Sequence, residues 1–276
     1  MQKTILITGA SSGIGFYVAH ELKKTGYRVI ASCRSASDVA HLQQDGLECV
    51  QLDLADSTSI QRGFIQAMTL SGNELYGLFN NGAYGQPGAV EDLPISALRQ
   101  QFNTNFFGWC ELTNLALPIM LKQGYGRIIQ NSSVLGIAAM PLRGAYNASK
   151  YAIEGISDTL RMELEGTGVY VSLIEPGPIE SQFRKNALAA LREHIDIEKS
   201  RHHTTYRGAI ARLEKTKTTT PFTLGPEAVY QRVIHALEAK RPQARYYVTF
   251  PTYLVGFVKR ILPTRWLDKL LRKLGS

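Results

Sequence analysis

One tyrosine and one lysine are spaced so that their side chains could take part in proton transfer in a site shielded from solvent. Tyr146 and Lys150 are four residues apart, and on a helix such residues lie on one face. A free tyrosine has a pKa of about 10 and is a poor acid or base at neutral pH. At ~5 Å and an effective dielectric of ~20, the lysine charge is worth roughly 3 kcal/mol, which is about two pKa units. In a sheltered cleft the phenol could therefore serve as a general acid and base, although many helices carry this pair on their surface.

A serine lies thirteen residues before this tyrosine, at the point where an apolar segment ends. Ser133 follows Gln130-Asn131-Ser132, and Tyr146 lies where a helix is predicted to begin. A strand end and a helix start that are spaced in this way can converge at the carboxyl edge of a parallel sheet, where ligands bind. The serine, the tyrosine and the lysine are therefore candidates for one site.

A glycine-rich turn near the amino terminus could bind a phosphate. The segment Thr8-Gly-Ala-Ser-Ser-Gly-Ile-Gly15 follows an apolar strand and opens a helix. Its glycines allow a sharp turn and a close approach to a pyrophosphate, and the helix offers free N–H groups. The alternative is a tight turn of small residues that binds nothing.

The residue after the second strand bears on the choice of nucleotide. An NAD site normally has an acidic residue there to hold the ribose 2′-hydroxyl, but this chain has Arg34. Its guanidinium could pair with a 2′-phosphate, which favours NADP(H), or it could be a solvated surface residue. Asp53, after the third strand, is placed either to contact the adenine edge or to cap a turn.

These residues must be positioned by alternating strands and helices. We predict strands over 5–7, 28–32, 47–52, 75–80, 127–130, 169–174 and 246–250, and helices over about 14–25, 98–122, 146–165 and 226–240. This order indicates an α/β fold with a single Rossmann-type, doubly wound parallel sheet of about seven strands and helices on both faces. One domain then spans 1–276. Residues 179–222 form a basic, helix-prone insert without a strand that covers the substrate, and 251–276 form a basic amphipathic C-terminal tail.

Taken together, the motifs resemble those of the short-chain dehydrogenase/reductase family, most closely its hydroxysteroid/retinol dehydrogenases and bacterial NADP-dependent aldehyde reductases. The resemblance covers about residues 3–182 and rests on the glycine loop, Asp53-Leu54, Asn80-Asn81-Gly82-Ala83, Asn105, Ser133, Tyr146/Lys150 and Pro176-Gly177. It implies that Tyr146 is the general acid in reduction and the base in oxidation. It further implies that Lys150 lowers the phenol pKa and holds the nicotinamide ribose. Ser133 would polarise the substrate carbonyl, and Asn105 would support a water relay to Lys150.

The same resemblance implies a cofactor site and one departure from the family. The site would comprise Gly9, Ser11, Ser12, Gly13, Ile14, Gly15, Arg34, Asp53, Leu54, Asn80, Asn81, Gly82, Tyr146, Lys150, Pro176, Gly177, Ile179 and Ser181. The family usually has Asn-Asn-Ala-Gly where this chain has Asn-Asn-Gly-Ala at 80–83, so the loop at the adenosine ribose is expected to differ. Ser181 replaces a common threonine and retains its hydroxyl.

The implied activity is hydride transfer with NADP(H), preferred over NAD(H), between an apolar aldehyde or ketone and its alcohol. Two alternatives stay open. A nucleotide-sensing protein would use the fold without chemistry but would have no need of the phenol, and an epimerase or dehydratase would use the same residues without net redox. In this family the two long helices often form a dimer interface, so a homodimer or homotetramer is expected.

The composition excludes several other classes of protein. The net charge is +8, but no RNA- or DNA-binding motif accompanies it, so nucleic acid is not expected as a partner. No run approaches the ~18–20 apolar residues that span a bilayer. His202-His203 lacks a third ligand at convincing spacing, so no metal is expected. The three cysteines show no CxxC spacing, which fits a cytoplasmic protein: Cys33, Cys49 and Cys110.

The C-terminal tail has two interpretations. Four leucines fall on one helical stripe, and four cations lie between them: Leu267, Leu270, Leu271 and Leu274, with Arg265, Lys269, Arg272 and Lys273. This pattern is typical of a helix that lies weakly on an anionic membrane surface. The preferred alternative is a helix that packs over the substrate pocket or on a neighbouring subunit.

Overall fold

The computed structural model describes residues 2–214 and 221–275. Within these ranges seven parallel strands form one sheet in the order β3-β2-β1-β4-β5-β6-β7. The strands are β1 Thr4–Thr8, β2 Arg28–Cys33, β3 Glu48–Gln51, β4 Gly77–Asn80, β5 Gly126–Asn131, β6 Val169–Glu175 and β7 Arg245–Tyr247. The order reverses between β1 and β4, as in a doubly wound sheet. The predicted Rossmann-type α/β fold is confirmed.

Helices cover both faces of this sheet. They are α1 Gly13–Lys24, α2 Ala36–Gln44, α3 Ser57–Ser71, α4 Ile95–Phe102, α5 Gly108–Gln123, α6 Gly144–Glu163, α7 Phe183–His194, α8 His203–Glu214, α9 Glu227–Glu238, α10 Phe250–Ile261 and α11 Thr264–Gly275. A π-helical turn, Asn103–Phe107, joins α4 to α5, so the predicted long helix is present with this distortion in it. The helices predicted over 14–25, 146–165 and 226–240 are also present, with ends shifted by a few residues.

Two helices and one strand differ from the sequence predictions. Helix α2 was not predicted, since it buries a single side chain, Leu42, and so lacks an apolar stripe. Helix α3 was also missed, although Asp56 caps its first turn and its buried face repeats every three to four residues. The last strand, predicted over 246–250, ends at Tyr247. Phe250 instead begins α10, because Pro251 lies in the first turn of that helix, where proline is favoured.

The strands are apolar on both sides because helices cover both faces. Along β1, Ile5 and Ile7 pack with α1 and α9, whereas Leu6 between them packs with α3, α5 and α6. All strands run the same way, so their carboxyl ends meet at one edge. That edge gathers the residues that follow β1, β2, β4, β5 and β6.

The predicted insert, 179–222, carries α7 and α8, and its residues 215–220 lie outside the described residues. An isolated bridge between Ile179 and Leu224 closes its base. Tyr206 of α8 is fully buried, and its hydroxyl accepts a hydrogen bond from Ala89 N (2.7 Å) and donates one to Asp92 (2.8 Å). His202 lies 2.9 Å from Glu91, and no cluster suited to a metal ion occurs in the described ranges.

The C-terminal tail forms α10 and α11, which pack on the segment that follows Ser133. Val255 of α10 and Leu267 and Leu271 of α11 form an apolar cluster with Val134 and Ala138. The inner face of the tail therefore lies beside the candidate site. Across residues 2–214 and 221–275, no helix is both long and apolar enough to cross a membrane.

Two helical glycines give a test of this packing. Gly108 lies against the loop after β3, and a Cβ atom added there would overlap the carbonyl oxygen of Leu54. Gly108→Ala should lower the free energy of unfolding by more than ~2 kcal/mol, because backbone must shift. Gly155 in α6 has no described atom within 4 Å of that position, so Gly155→Ala should raise it by about 0.5–1 kcal/mol. Urea denaturation measures both, and effects of the same sign would contradict this packing.

Candidate active site

The glycine turn after β1 is packed so closely that side chains do not fit. Gly9 and Gly13 have φ values of +66° and +58°, a region that glycine adopts most readily. A Cβ atom on Gly9 would lie 2.5 Å from the Cα of Gly82, and one on Gly15 would overlap the carbonyl oxygen of Gly9. The turn therefore presents bare backbone at the switch point of the sheet.

The helix that follows this turn has free N–H groups. Within the described part of the chain, the Ser12 side chain makes no capping hydrogen bond to α1, and Ser11 and Ser12 are exposed. Such a helix start, with its positive dipole end, is suited to a phosphate. Ile14 is half-buried against the core. Ser181 lies across the turn, 3.1 Å from a Cβ placed on Gly13, so the segment after β6 approaches the same place.

The residues after β4 hold the glycine turn in position. Thr8 Oγ1 accepts hydrogen bonds from the backbone N–H groups of Asn81 and Gly82, each at 2.9 Å. The Asn81 side chain donates to Thr8 O (3.0 Å) and accepts from Asn131 Nδ2 (2.9 Å). Asn80 is buried and donates to Thr113 Oγ1. These amides tie β1, β4 and β5 together.

Backbone conformation does not explain why glycine precedes alanine at 82–83, since neither residue has a positive φ. A Cβ on Gly82 would meet a methyl group of Leu54 at 2.8 Å and the backbone N of Gly9 at 3.2 Å. The carbonyl oxygen of Gly82 accepts a hydrogen bond from Trp109 Nε1 (2.8 Å). Glycine here removes a close contact, and the expected change at the adenosine ribose stays a prediction.

Ser133, Tyr146 and Lys150 lie at the carboxyl edge of the sheet, and their roles there stay predictions. The Ser133 hydroxyl is near enough to the Tyr146 phenol to act on its pKa. Lys150 is 1% exposed, and its Nζ donates to Asn131 O at 2.7 Å. That nitrogen lies 4.2 Å from the centre of the Trp109 ring and 5.6 Å from the centre of the Tyr146 ring.

Burial controls the ionisation of both residues. It raises the pKa of Tyr146, while the Ser133 hydroxyl acts in the opposite direction. Burial lowers the pKa of Lys150 to about 7, and the negative charge of Glu154 opposes this. The expectation of a phenol pKa lowered by the lysine is therefore wrong for this arrangement. A lysine with a pKa of about 7 is only partly charged at neutral pH, which weakens its effect on the phenol.

Asn105 lies in the π-helical turn and is fully buried. Its side chain bridges the loop after β4 and α6: it accepts from Tyr84 N (3.1 Å) and donates to Tyr84 O (2.9 Å) and to Ser149 Oγ (3.4 Å). The structure thus brings Asn105 beside α6, and its water relay to Lys150 stays a prediction.

Two aromatic residues at the site were missed from the sequence. Trp109 contacts Lys150 and lies one helical turn after Asn105, so the spacing of the two could have indicated it. Phe183, the first residue of α7, lies with its ring 5.2 Å from that of Tyr146. A Cβ on Gly85 would come within 2.5 Å of the Phe183 ring. No spacing in the sequence indicates this contact, because it depends on how the insert folds back.

The remaining predicted residues lie around this edge. Arg34 is exposed directly after β2, and its carbonyl oxygen accepts from Gln51 Nε2. Asp53 accepts from Ala55 N at 2.9 Å, so it caps a turn. After β6, the carbonyl oxygen of Pro176 accepts from Val134 N. Gly177 is packed on Thr249, whose hydroxyl a Cβ atom would overlap.

The doubly wound sheet and the bare glycine turn at its switch point define a dinucleotide-binding protein of the Rossmann type. The sequence profile described as short chain dehydrogenase matches residues 3–192. The chain belongs to the short-chain dehydrogenase/reductase family, and it is therefore an oxidoreductase of a family that uses NAD(P).

Relatives of known sequence or structure resemble the chain over most of its length. It is 44% identical to the oxidoreductase YbbO of Escherichia coli K12 over 272 residues, which cover 99% of this chain and 95% of YbbO. It is 30% identical to an NADPH-dependent 3-dehydrocapnine reductase of Ornithobacterium rhinotracheale, covering 97% and 95%. The crystal structure of a short-chain dehydrogenase from Streptomyces avermitilis matches with a TM-score of 0.77 at 25% identity, covering 95% and 94%.

Proposed function

We propose that the protein interconverts an apolar aldehyde or ketone and its alcohol by hydride transfer with NADP(H), with Tyr146 as general acid and base. The observation that carries the proposal is the buried Lys150 ammonium, 5.6 Å from the centre of the Tyr146 ring and anchored on Asn131 O, at the edge that holds Ser133 and the glycine turn. A relative that is 30% identical is named as an NADPH-dependent reductase, which supports the direction and the cofactor.

In carbonyl reduction, the Tyr146 phenol gives its proton to the substrate oxygen while the Ser133 hydroxyl donates a hydrogen bond to that oxygen. The bound nicotinamide supplies the hydride in reduction and accepts it in oxidation. Because burial raises the phenol pKa, Tyr146 holds its proton at neutral pH, as a general acid must. Alcohol oxidation needs the phenolate, so that direction is favoured as the pH rises.

Lys150 and Asn105 support this exchange. Lys150, whose Nζ donates to Asn131 O, would hold the nicotinamide ribose and return a proton to the phenol. Asn105, whose side chain donates to Ser149 Oγ of α6, would order water beside the lysine. The aromatic ring of Phe183 and the rest of the insert would exclude solvent from the phenol, which suits an apolar substrate.

The preference for NADP(H) over NAD(H) rests on the surface after β2. Arg34 is exposed, and α2 begins two residues later. The hydroxyls of Ser35 and Ser37 are 3.1 Å apart at that helix start. A guanidinium, two hydroxyls and the positive end of a helix dipole together suit a 2′-phosphate. The other predicted cofactor residues, Asp53 and Ile179 among them, belong to the same proposal.

We also propose a cytoplasmic homodimer or homotetramer that touches anionic membrane surfaces weakly. The outer face of α6 exposes Ile156 and Met162, as a subunit contact would need. On the tail, Phe257 and Trp266 are 65% and 64% exposed. Phe250, Leu254, Phe257 and Ile261 fall on one stripe of α10, and the two tail helices carry cations beside a single acid, Asp268. Aromatic and aliphatic side chains among cations complement anionic headgroups.

The chemistry is tested by Tyr146→Phe, which removes only the ionisable hydroxyl. Its kcat/KM for NADPH-dependent carbonyl reduction should fall at least ~100-fold, because general acid catalysis is lost. NADPH binding, followed by fluorescence, should persist. The matched control is Tyr151→Phe on the exposed side of α6, which should keep its activity. Full activity of Tyr146→Phe would refute the mechanism. No NADPH oxidation by the natural protein across carbonyls of increasing length would favour the nucleotide sensor or the epimerase.

Cofactor preference is tested by Arg34→Ala. The KM for NADPH should rise about tenfold or more, since a charge-assisted hydrogen bond is worth ~1.5–3 kcal/mol, while the KM for NADH should stay the same. Arg62→Ala, an exposed arginine of α3, is the control and should change neither. Equal changes for NADPH and NADH would rule out a contact with the 2′-phosphate.

Membrane contact is tested with the full chain and vesicles. Sedimentation with acidic phospholipid vesicles should exceed that with zwitterionic ones. The double variant Phe257→Ser/Trp266→Ser should weaken binding at least ~100-fold, because burial of each aromatic ring contributes more than ~1.4 kcal/mol, which is about tenfold per ring. Ile65→Ser removes an equally exposed side chain (66%) from α3 and serves as the control. Equal losses in both variants, or no binding by the natural protein, would count against a lipid surface.

A further inference from the structure

Two glutamates lie buried side by side behind Lys150. Glu154 is on α6, four residues after Lys150, and is 7% exposed, whereas Glu175 ends β6 and is fully buried. Both carboxyl groups lie 3.1 Å from the guanidinium of Arg245, so they face each other around one cation. A hydrogen bond between two carboxyl groups requires a proton on one of them. We call these two residues the carboxyl pair.

One cation faces this pair. The Arg245 guanidinium of β7 lies 3.1 Å from Glu154 Oε2 and 3.1 Å from Glu175 Oε1, and it also donates to Asp158 at 2.6 Å. Asp158 is also paired with Arg161, so two buried carboxyl groups remain for the Arg245 guanidinium. Two ionised carboxylates held against one guanidinium repel each other strongly, and a proton on one of them removes this repulsion.

The hydrogen bonding of the pair points to the same proton. Among the described residues, Glu154 Oε1 and both oxygens of Glu175 accept no hydrogen bond from an N–H or hydroxyl group. A buried polar atom without a partner is costly. A proton shared between the two carboxyl groups gives one oxygen of each a partner, and Glu175 Oε1 also lies 3.1 Å from Arg245 Nε.

The contacts of the two carboxyl groups indicate which of them keeps the proton. Arg245 donates a hydrogen bond to Glu154 Oε2 at 3.1 Å, whereas neither oxygen of Glu175 accepts one from the described residues. Burial and the negative charge of Glu154 raise the pKa of Glu175, and burial also raises the pKa of Glu154. We therefore assign the proton to Glu175 and the negative charge to Glu154.

Glu154 connects the pair to the candidate site. The other close contacts of the Lys150 ammonium are a backbone carbonyl oxygen and the Trp109 ring, both of which are neutral. The Glu154 carboxylate is the charged group that opposes the effect of burial on Lys150. The charge on the lysine therefore depends on whether Glu154 is ionised.

The other groups near the pair are fixed or lie further from Lys150. From β7 they are Arg245 and Tyr247, from α6 Asp158 with its partner Arg161, and from α10 Arg260, which acts on Tyr247. Ser132 and Gly136 close the side toward β5 and carry no charge. Glu154 is the member of the carboxyl pair that shares α6 with Lys150, one helical turn away.

We propose that Glu154 and Glu175 share one proton, held mainly by Glu175, and that the ionised Glu154 is a positioning residue that keeps Lys150 charged beneath the phenol. The inference of a shared proton does not depend on the proposed function. Only the test that measures activity depends on it. The carboxyl pair supplies one negative charge at a position that solvent does not reach. Arg245 and Asp158 lie between the pair and the surface.

The coupling to Lys150 is tested by the pH profile of carbonyl reduction. Glu154→Gln keeps the shape of the side chain and removes its charge, so Lys150 should lose its proton at a lower pH. The alkaline limb of the kcat/KM profile should therefore move down by about one pH unit. Glu154→Asp retains the negative charge, so its alkaline limb should lie close to that of the natural protein. Glu175→Gln should keep the limb in place, because a carboxamide donates the hydrogen bond that the protonated acid donates. Glu163→Gln, exposed on the same helix, is the control. An unchanged limb in Glu154→Gln overturns the coupling.

The shared proton is tested without turnover. The raised pKa of Glu175 means that the folded protein binds this proton more tightly than the unfolded chain does, where a glutamate titrates at about 4.3. The stability that the proton contributes is complete below that pH and is lost as the pH rises through about 9. The free energy of unfolding of the natural protein should therefore fall, relative to that of Glu175→Gln, between pH 5 and pH 9.

Urea denaturation across this range measures the difference between the two proteins. A difference that does not change with pH overturns the shared proton. If no carbonyl is reduced but the difference does change, the proposed function fails while the shared proton is supported. If reduction occurs and the limb of Glu154→Gln does not move, the coupling alone fails.

Discussion

The charge on Lys150 is held at the edge of the sheet with almost no contact with water, and much of the site follows from this constraint. An ammonium loses most of its hydration there, and its pKa falls to about 7 as a result. What compensates is a set of specific contacts: a carbonyl oxygen at 2.7 Å, the face of Trp109 at 4.2 Å and the carboxylate of Glu154 one helical turn away. Each of these contacts comes from a different element, so the charge depends on the whole edge being assembled.

The parallel sheet supplies that assembly. Because neighbouring strands run the same way, Thr8, Asn80, Asn131 and Glu175 all lie at strand ends on one edge. Buried amide and hydroxyl groups then tie these ends to one another, as in the bonds from Thr8 to Asn81 and from Asn81 to Asn131. Such hydrogen bonds favour a single arrangement, since a shift would leave further buried donors or acceptors without a partner. The glycine turn keeps its shape because it is packed on this framework.

Spacing along the chain predicts the parts of this site that are local. The four-residue interval from Tyr146 to Lys150 and the short apolar run of β1 require only one element each, and the predicted helix and strand are both present. The sign of the phenol pKa shift could not be predicted in the same way, because burial depends on Phe183 and on the insert that brings it. Arg245 is 95 residues from Lys150 and meets Glu154 only when β7 joins the sheet. Contacts of this kind depend on tertiary structure, and no periodicity carries them.

Helix α6 shows how the local and the distant contributions combine. Tyr146, Lys150, Glu154 and Asp158 follow one another at four-residue intervals, so a single face of the helix leads from the phenol toward the surface. Spacing alone sets this order, but tertiary contacts set the protonation of each member. The phenol is half-buried and the lysine is fully buried, β6 brings a second carboxyl group against Glu154, and β7 brings Arg245 against Glu154 and Asp158. A sequence with the same four residues on an exposed helix would have the same row of side chains on one face. It would have none of the shifted pKa values, because those arise from burial among opposite charges.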